Sequence, residues 1–103
     1  MEYSKKMQLG DDIDTSVIDA MDKELRMLDI FYVVIDKKGD NLFEIIESVE
    51  IYKPMYKDKK YLLIGVFSGK SKAVKYILHL LEKYLETGRD MKRAKSYFVL
   101  HFS

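Results

Sequence analysis

Cysteine is missing from this chain altogether. That excludes disulfides, thiolate nucleophiles and zinc sites with cysteine ligands. Histidine occurs only twice, at His79 and His101, too few for a three-histidine metal centre. No metal and no cofactor is therefore implied. Apolar runs are short, and none approaches the roughly 18 residues that a membrane-spanning helix needs. Met1-Glu2-Tyr3-Ser4-Lys5-Lys6 is followed by the polar stretch Met7–Asp12 rather than an apolar core, so no secretory signal is expected, and the cytoplasm is the expected location. Neither charge sign dominates: 18 Lys and Arg face 17 Asp and Glu, a formal charge of +1. A dedicated nucleic-acid binder is usually clearly basic.

What is present describes a folded globule. Apolar residues make up 48% of the chain, far from the profile of disorder. Its 103 residues suit one domain, residues 1–103, without repeats. Residues 1–11 read as a flexible lead-in. Asp11, Asp12, Asp14 and Thr15 supply N-cap candidates, and Ile13, Val17, Met21, Leu25 and Leu28 follow at helical spacing, predicting a helix over 14–28. Residues 30–35 (IFYVVI) and 61–67 (YLLIGVF) are continuous apolar runs bounded by turn residues, hence strands buried on both faces. Leu42, Ile45, Ile46 and Val49 favour a helix over 41–49, with a hairpin arm as the alternative. Residues 50–57 then read as an edge strand, because Pro54 cannot donate to a ladder. A helix is predicted over 70–87, stopped by Gly88 as a left-handed cap. Phe98, Leu100 and Phe102 alternate with Tyr97, Val99 and His101, predicting a half-buried strand over 96–102.

The expected fold class is α+β: a two-layer sandwich with a four-stranded, mainly antiparallel sheet. Its order is ferredoxin-like β-α-β-β-α-β preceded by an N-terminal helix. If 42–49 is a strand, the plan becomes a three-strand meander, a long helix and a closing strand.

Four features carry chemistry. Gly65-Val66-Phe67-Ser68-Gly69-Lys70-Ser71 has the strand–glycine turn–helix context of a P-loop. However, only three residues separate its glycines where that fingerprint has four. A strand-to-helix turn accounts for it, leaving Gly69, Lys70 and Ser71 as a weak anion-binding candidate. Neither histidine has a sequence-adjacent carboxylate or nucleophile, so no catalytic residue is assigned, although His101 is the better acid–base candidate. The acids at 11, 12 and 14 lack the rest of a calcium loop and read as helix caps. Two basic loops carry neighbouring tyrosines: Lys53, Lys57, Lys59 and Lys60, and Arg89, Lys92, Arg93 and Lys95. Charge with aromatics can hold a nucleic-acid strand by phosphate contact and stacking. Set against that are net neutrality and strands that lack the RNA-binding aromatic pattern.

Asp36-Lys37-Lys38-Gly39, followed by Leu42 and Ile45, resembles the Asp-x-x-Gly turn and apolar helix of ACT-type regulatory domains, with the leucine one place later. The stretch from Gly69 to Tyr76 is similar to the third-strand-to-helix junction of bacterial microcompartment shell domains. Each resemblance covers a handful of positions and assigns no family. Both imply an oligomeric, non-catalytic domain, and the first points to Asp36 and Gly39 as ligand contacts. Apolar strand surface in excess of what one helical layer covers also implies a homo-oligomer, most simply a dimer. The leading functional expectation is a non-enzymatic, oligomeric domain binding a small ligand or a protein near turns 36–41 and 68–71. The alternatives are a nucleic-acid-associated protein using Lys57, Lys59, Lys60, Arg89, Lys92 and Arg93, and a small enzyme with an interface site around His101 or Lys70.

Overall fold

The two apolar runs form the strands expected of them, and the rest of the fold is arranged around that pair. A computed structural model describes residues 1–103. In it the chain runs β1 (Glu2–Leu9), α1 (Thr15–Asp22), β2 (Ile30–Asp36), β3 (Glu44–Glu47), α2 (Ser48–Ile51), β4 (Tyr61–Ser68), α3 (Lys70–Glu86) and α4 (Ala94–Phe102). Short 3-10 turns lie at Pro54–Tyr56 and Met91–Arg93. The sheet order is β1-β4-β2-β3. β2 pairs antiparallel with β3 and β4, whereas β1 runs parallel to β4. The fold is thus α+β with a mixed sheet, and the parallel β1 departs from the ferredoxin-like arrangement.

Both sheet faces are covered by the chain itself. On one face Val33, Ile35, Leu62 and Ile64 meet Ala73 and Tyr84 of α3 and Ala94, Phe98 and Phe102 of α4. On the other, Tyr32, Val34, Leu63 and Val66 meet Met21 of α1 and Ile51 of α2, flanked by Tyr52 and Tyr56. Three layers therefore replace the expected two. The excess apolar strand surface is buried within one chain, so the sheet does not require a second subunit.

The sheet centre carries a register break. Val33 opposes Gly65 while Val34 opposes Leu63, which leaves Ile64 as a bulge in β4. Such a bulge leaves a residue outside the ladder. The hydroxyl of Tyr76 on α3 donates to the Ile64 carbonyl at 3.2 Å. A Cβ at position 65 would lie 2.7 Å from the Phe67 ring and 3.0 Å from the Tyr76 ring, so only glycine fits beneath α3.

Several expectations are corrected. Residues 1–11 are not a loose lead-in. Most of them form β1, which pairs with β4 at both ends across a register shift between Tyr3 and Gln8, while the half-buried Met7 and Leu9 pack against the core. The helix expected over 14–28 stops at Asp22. There Glu24 takes a left-handed φ of 54°, its N–H donates to Met21 O, and the Leu25 N–H donates to Ala20 O. This closes the helix with a Schellman motif. Leu28, read as inward-facing, is 84% exposed. Residues 44–47 are strand, with Ile45 and Ile46 on opposite faces, as the hairpin alternative expects. The sheet is still not a meander, since β4 returns to β2 rather than to β3. Residues 50–57 are short helical turns, with Pro54 at a first-turn position where its missing N–H costs nothing. The strand expected over 96–102 is helix α4. Phe98 is 2% and Leu100 79% exposed, so they cannot share a face; the buried set Ala94, Phe98 and Phe102 repeats every four residues. Helix α3 and its left-handed Gly88 are as expected.

Two substitutions test this architecture with opposite signs. Gly65→Ala forces the Phe67 and Tyr76 rings apart and lowers unfolding free energy by about 1–3 kcal/mol. Glu24→Gly relieves the left-handed position and raises it by up to about 1 kcal/mol. Urea unfolding midpoints measure both; an unchanged Gly65→Ala protein contradicts the bulge packing.

Candidate functional site

Strand pairing decides which loops meet. Asp36 opposes Tyr61 and Glu2 opposes Leu62, so the turn after β2, the loop before β4 and the start of β1 share one end of the sheet. The Lys37 N–H donates to the Lys60 carbonyl at 2.9 Å and ties the first two together. The β2–β3 turn is shaped by its aspartate. Asp36 is 4% exposed, and its Oδ1 accepts the Lys38 N–H at 3.1 Å. A Cβ on residue 39 would fall 2.5 Å from Asp36 Oδ2, so any other residue there displaces the aspartate. This is an Asx-type turn.

The result is a cleft of about 540 Å³ with Lys37, Lys38, Lys57, Lys59 and Lys60 on its walls. Only two of these lysines are paired: Lys37 with Glu2 at 2.6 Å and, at longer range, Lys59 with Asp36 at 3.8 Å. The exposed Lys37–Glu2 pair contributes little, so Lys37 can exchange Glu2 for another anion.

On one flank the cleft opens into a cavity of about 380 Å³, which shares Lys57, Lys59 and Tyr61 with it. Tyr3, Tyr52, Tyr56 and Tyr61 line this cavity, and the Tyr56 and Tyr61 rings lie 6.0 Å apart. The buried hydroxyls of Tyr61 and of neighbouring Tyr32 have no hydrogen-bond partner. Burial, then the Glu44 carboxylate, pushes the Tyr61 phenol up to about 12. Burial also raises Tyr52, with a further contribution from Tyr32.

On the other flank, Lys37 continues into a shallow hollow with Lys95, Ser96, Val99 and Leu100. The Lys95 ammonium is shielded from solvent and meets no acceptor. Ser96 and Leu100 lead on to a hollow of about 480 Å³ bounded by Arg89, Asp90, Arg93 and Tyr97. There the Arg89 guanidinium lies 4.4 Å from the Tyr97 ring centre. The two basic loops are therefore joined in one band.

The expected site residues divide accordingly. Lys57, Lys59, Lys60, Arg89 and Arg93 lie along the band, and Lys92 sits in the same turn as Arg93. Asp36 and Gly39 shape its edge. Gly69, Lys70 and Ser71 do not join them. Ser68 opposes Ile30 at the far end of β2, roughly 20 Å away at about 3.3 Å per residue. One small ligand cannot bridge turns 36–41 and 68–71. The start of α3 also has a carboxylate of its own beside it: Asp12 accepts from the Ser68 hydroxyl, and from Lys72 Nζ at 3.0 Å. Those contacts, the serine first, lower the Asp12 pKa. Asp14 caps α1, accepting the Ser16 N–H at 2.9 Å.

Sequence reasoning missed Lys37 and Lys38, which sit inside the Asp36–Gly39 turn it singled out, and it left Lys95 out of the binding set. It also missed the tyrosine cavity, whose members come from three distant segments. The two histidines are brought together as well. They line a groove of about 730 Å³ between β1, α3 and α4, with Lys6 and Lys83. His101 stacks on Tyr97, with ring centres 6.0 Å apart. No group of three or more His, Asp or Glu is placed to hold a metal ion, and no helix is long and apolar enough to cross a membrane. Comparison with known protein families, curated proteins and solved structures finds no match for this chain.

The titrating groups give stability a defined pH window. Tyr61 and Tyr76 are both raised from 10.0 to about 12, so the stability from their neutral, buried forms is complete below pH 10 and is lost as pH climbs towards 12. His101 is lowered from 6.5 by burial, then by Lys6; its contribution is present above pH 6.5 and is lost as pH falls below that value. Denaturation across pH should show a plateau between these limits. His101→Gln should flatten the descent just below pH 6.5, leaving the loss below pH 3.8 that Asp12 and Asp14 contribute, and phenolate absorbance should rise together with alkaline unfolding.

Proposed function

We propose that this protein is a non-enzymatic binding domain whose ligand is a single-stranded nucleic acid, held along the cationic band with a base in the tyrosine cavity. The observation that carries this reading is continuity. Lys57, Lys59 and Lys60 connect through Lys37 and Lys95 to Arg89 and Arg93, in one run of adjoining hollows. A flexible polyanion can follow such a run. Half-buried aromatic rings at both ends, Tyr56 at one and Tyr97 at the other, suit stacking. Local charge, not the net +1, governs contacts within a Debye length of about 8 Å.

A second reading keeps the non-catalytic role but makes the ligand a small anionic ring compound. The cavity of about 380 Å³ falls within the usual ligand-site range, and Lys57 and Lys59 stand on its wall. The two readings differ in reach, because a mononucleotide touches one flank of the band and a strand touches both.

Fluorescence anisotropy with a labelled oligothymidylate at low salt tests the first reading. Binding should weaken with salt, the logarithmic slope losing about 0.7 for each phosphate contact removed. Lys57→Glu and Arg93→Glu should each weaken binding at least tenfold, and Tyr56→Ala should cost about 1–3 kcal/mol. Loss confined to Lys57→Glu, with a mononucleotide competing equally well, favours the small-ligand reading. No salt-dependent binding rejects the strand reading.

A further inference from the structure

Helix α3 carries more apolar surface than its own core uses. Ala73 and Tyr84 are buried against the sheet, with Ile77 and Leu80 packed beside them. Yet Val74 is 39%, Leu78 52% and Leu85 49% exposed, and Leu81, which packs against the edge of that core, keeps part of its surface open. These four residues fall at i, i+4, i+7 and i+11. That spacing makes one straight seam of alternating three- and four-residue steps, the pattern by which one helix packs along another.

We infer that this seam is the contact of a homodimer in which two copies of α3 pack antiparallel about a two-fold axis. In an isologous contact, residue i meets residue j and j meets i. The seam has that symmetry. With the axis between residues 79 and 80, Leu78 faces Leu81 of the second copy and Val74 faces its Leu85. The flanking charges select the orientation. Lys75 and Glu82 border the seam on its solvent side at equivalent heptad positions, and neither has an ion-pair partner within the chain. Antiparallel packing sets Lys75 of each copy against Glu82 of the other, forming two equivalent pairs. Parallel packing would hold Lys75 and Glu82 of the second copy seven residues, about 10 Å, apart along the axis, so neither pair would form. This surface differs from the sheet face that the sequence suggested as an oligomer contact, and it is independent of the cationic band.

The test is a set of charge exchanges read by sedimentation velocity and light scattering on the full chain at submillimolar concentration. The wild-type protein should be a dimer. Lys75→Glu alone and Glu82→Lys alone each create two like-charge contacts per dimer and should raise the dissociation constant about tenfold. Combining both substitutions in one chain restores opposite pairs and should recover dimerisation. Leu78→Glu should give a folded monomer, checked by an unchanged far-UV spectrum. A wild-type monomer overturns the inference. So does a double variant no tighter than the singles, which would place the contact elsewhere or in another orientation.

Discussion

The side chains of β4 leave water on both sides of the sheet at once. Leu62 and Ile64 point to one face, Leu63 and Val66 to the other, and all four are fully buried. Fully burying an aliphatic side chain of this size contributes about 1.5–3 kcal/mol, so a central strand of this kind is stable only if each face is covered. α3 and α4 supply one cover, and α1 with the turns around residues 48–56 supplies the other. The same strand binds β1 on one side and β2 on the other, in opposite senses. Its bulge at Ile64 then sets the fit of α3, because Tyr76 closes on the carbonyl that the bulge displaces and Gly65 makes room for it.

This arrangement explains where the cations collect. β4 and β1 begin, and β2 ends, at the same edge of the molecule. α3 has 17 residues, about 25 Å at 1.5 Å per residue, and so returns the chain along roughly the length of β4. The turns at 36–41, 57–60 and 88–93 each carry lysine or arginine. None is notable alone, and acids elsewhere cancel them in the net charge. The topology concentrates one sign locally, and electrostatic recognition responds to that local field.

Legibility in the sequence followed the number of residues that one local cause controls. β2, β4 and α3 were readable because each has a long, consistent pattern: continuous β-branched and aromatic runs in the strands, a repeating inner face in the helix. Segment 41–49 matches the helical period at more positions, yet Ile45 and Ile46 end on opposite faces because β3 pairs with β2 between two helical layers. β1 has a thin apolar signal, since an edge strand paired to β4 packs only Met7 and Leu9 against the core. In α4 the alternation of Phe98, Leu100 and Phe102 competed with the four-residue repeat of Ala94, Phe98 and Phe102. The aromatic cluster of Phe43, Tyr84 and Phe98 favours the helix, as it buries Phe98 and leaves Leu100 in water.

By itself, the sequence determined the absence of cysteine chemistry, the two buried strands, the long helix with its glycine stop and the two basic loops. Each of these depends on residue type or on spacing within a single segment. Only the tertiary structure decided that the sheet is mixed and covered on both faces, that Asp36 and Gly69 lie at opposite ends, and that the basic loops join through Lys37 and Lys95. Those facts depend on which strands pair and in which direction. Pairing is a long-range choice, set by the total apolar area buried across both faces, and no local pattern encodes it.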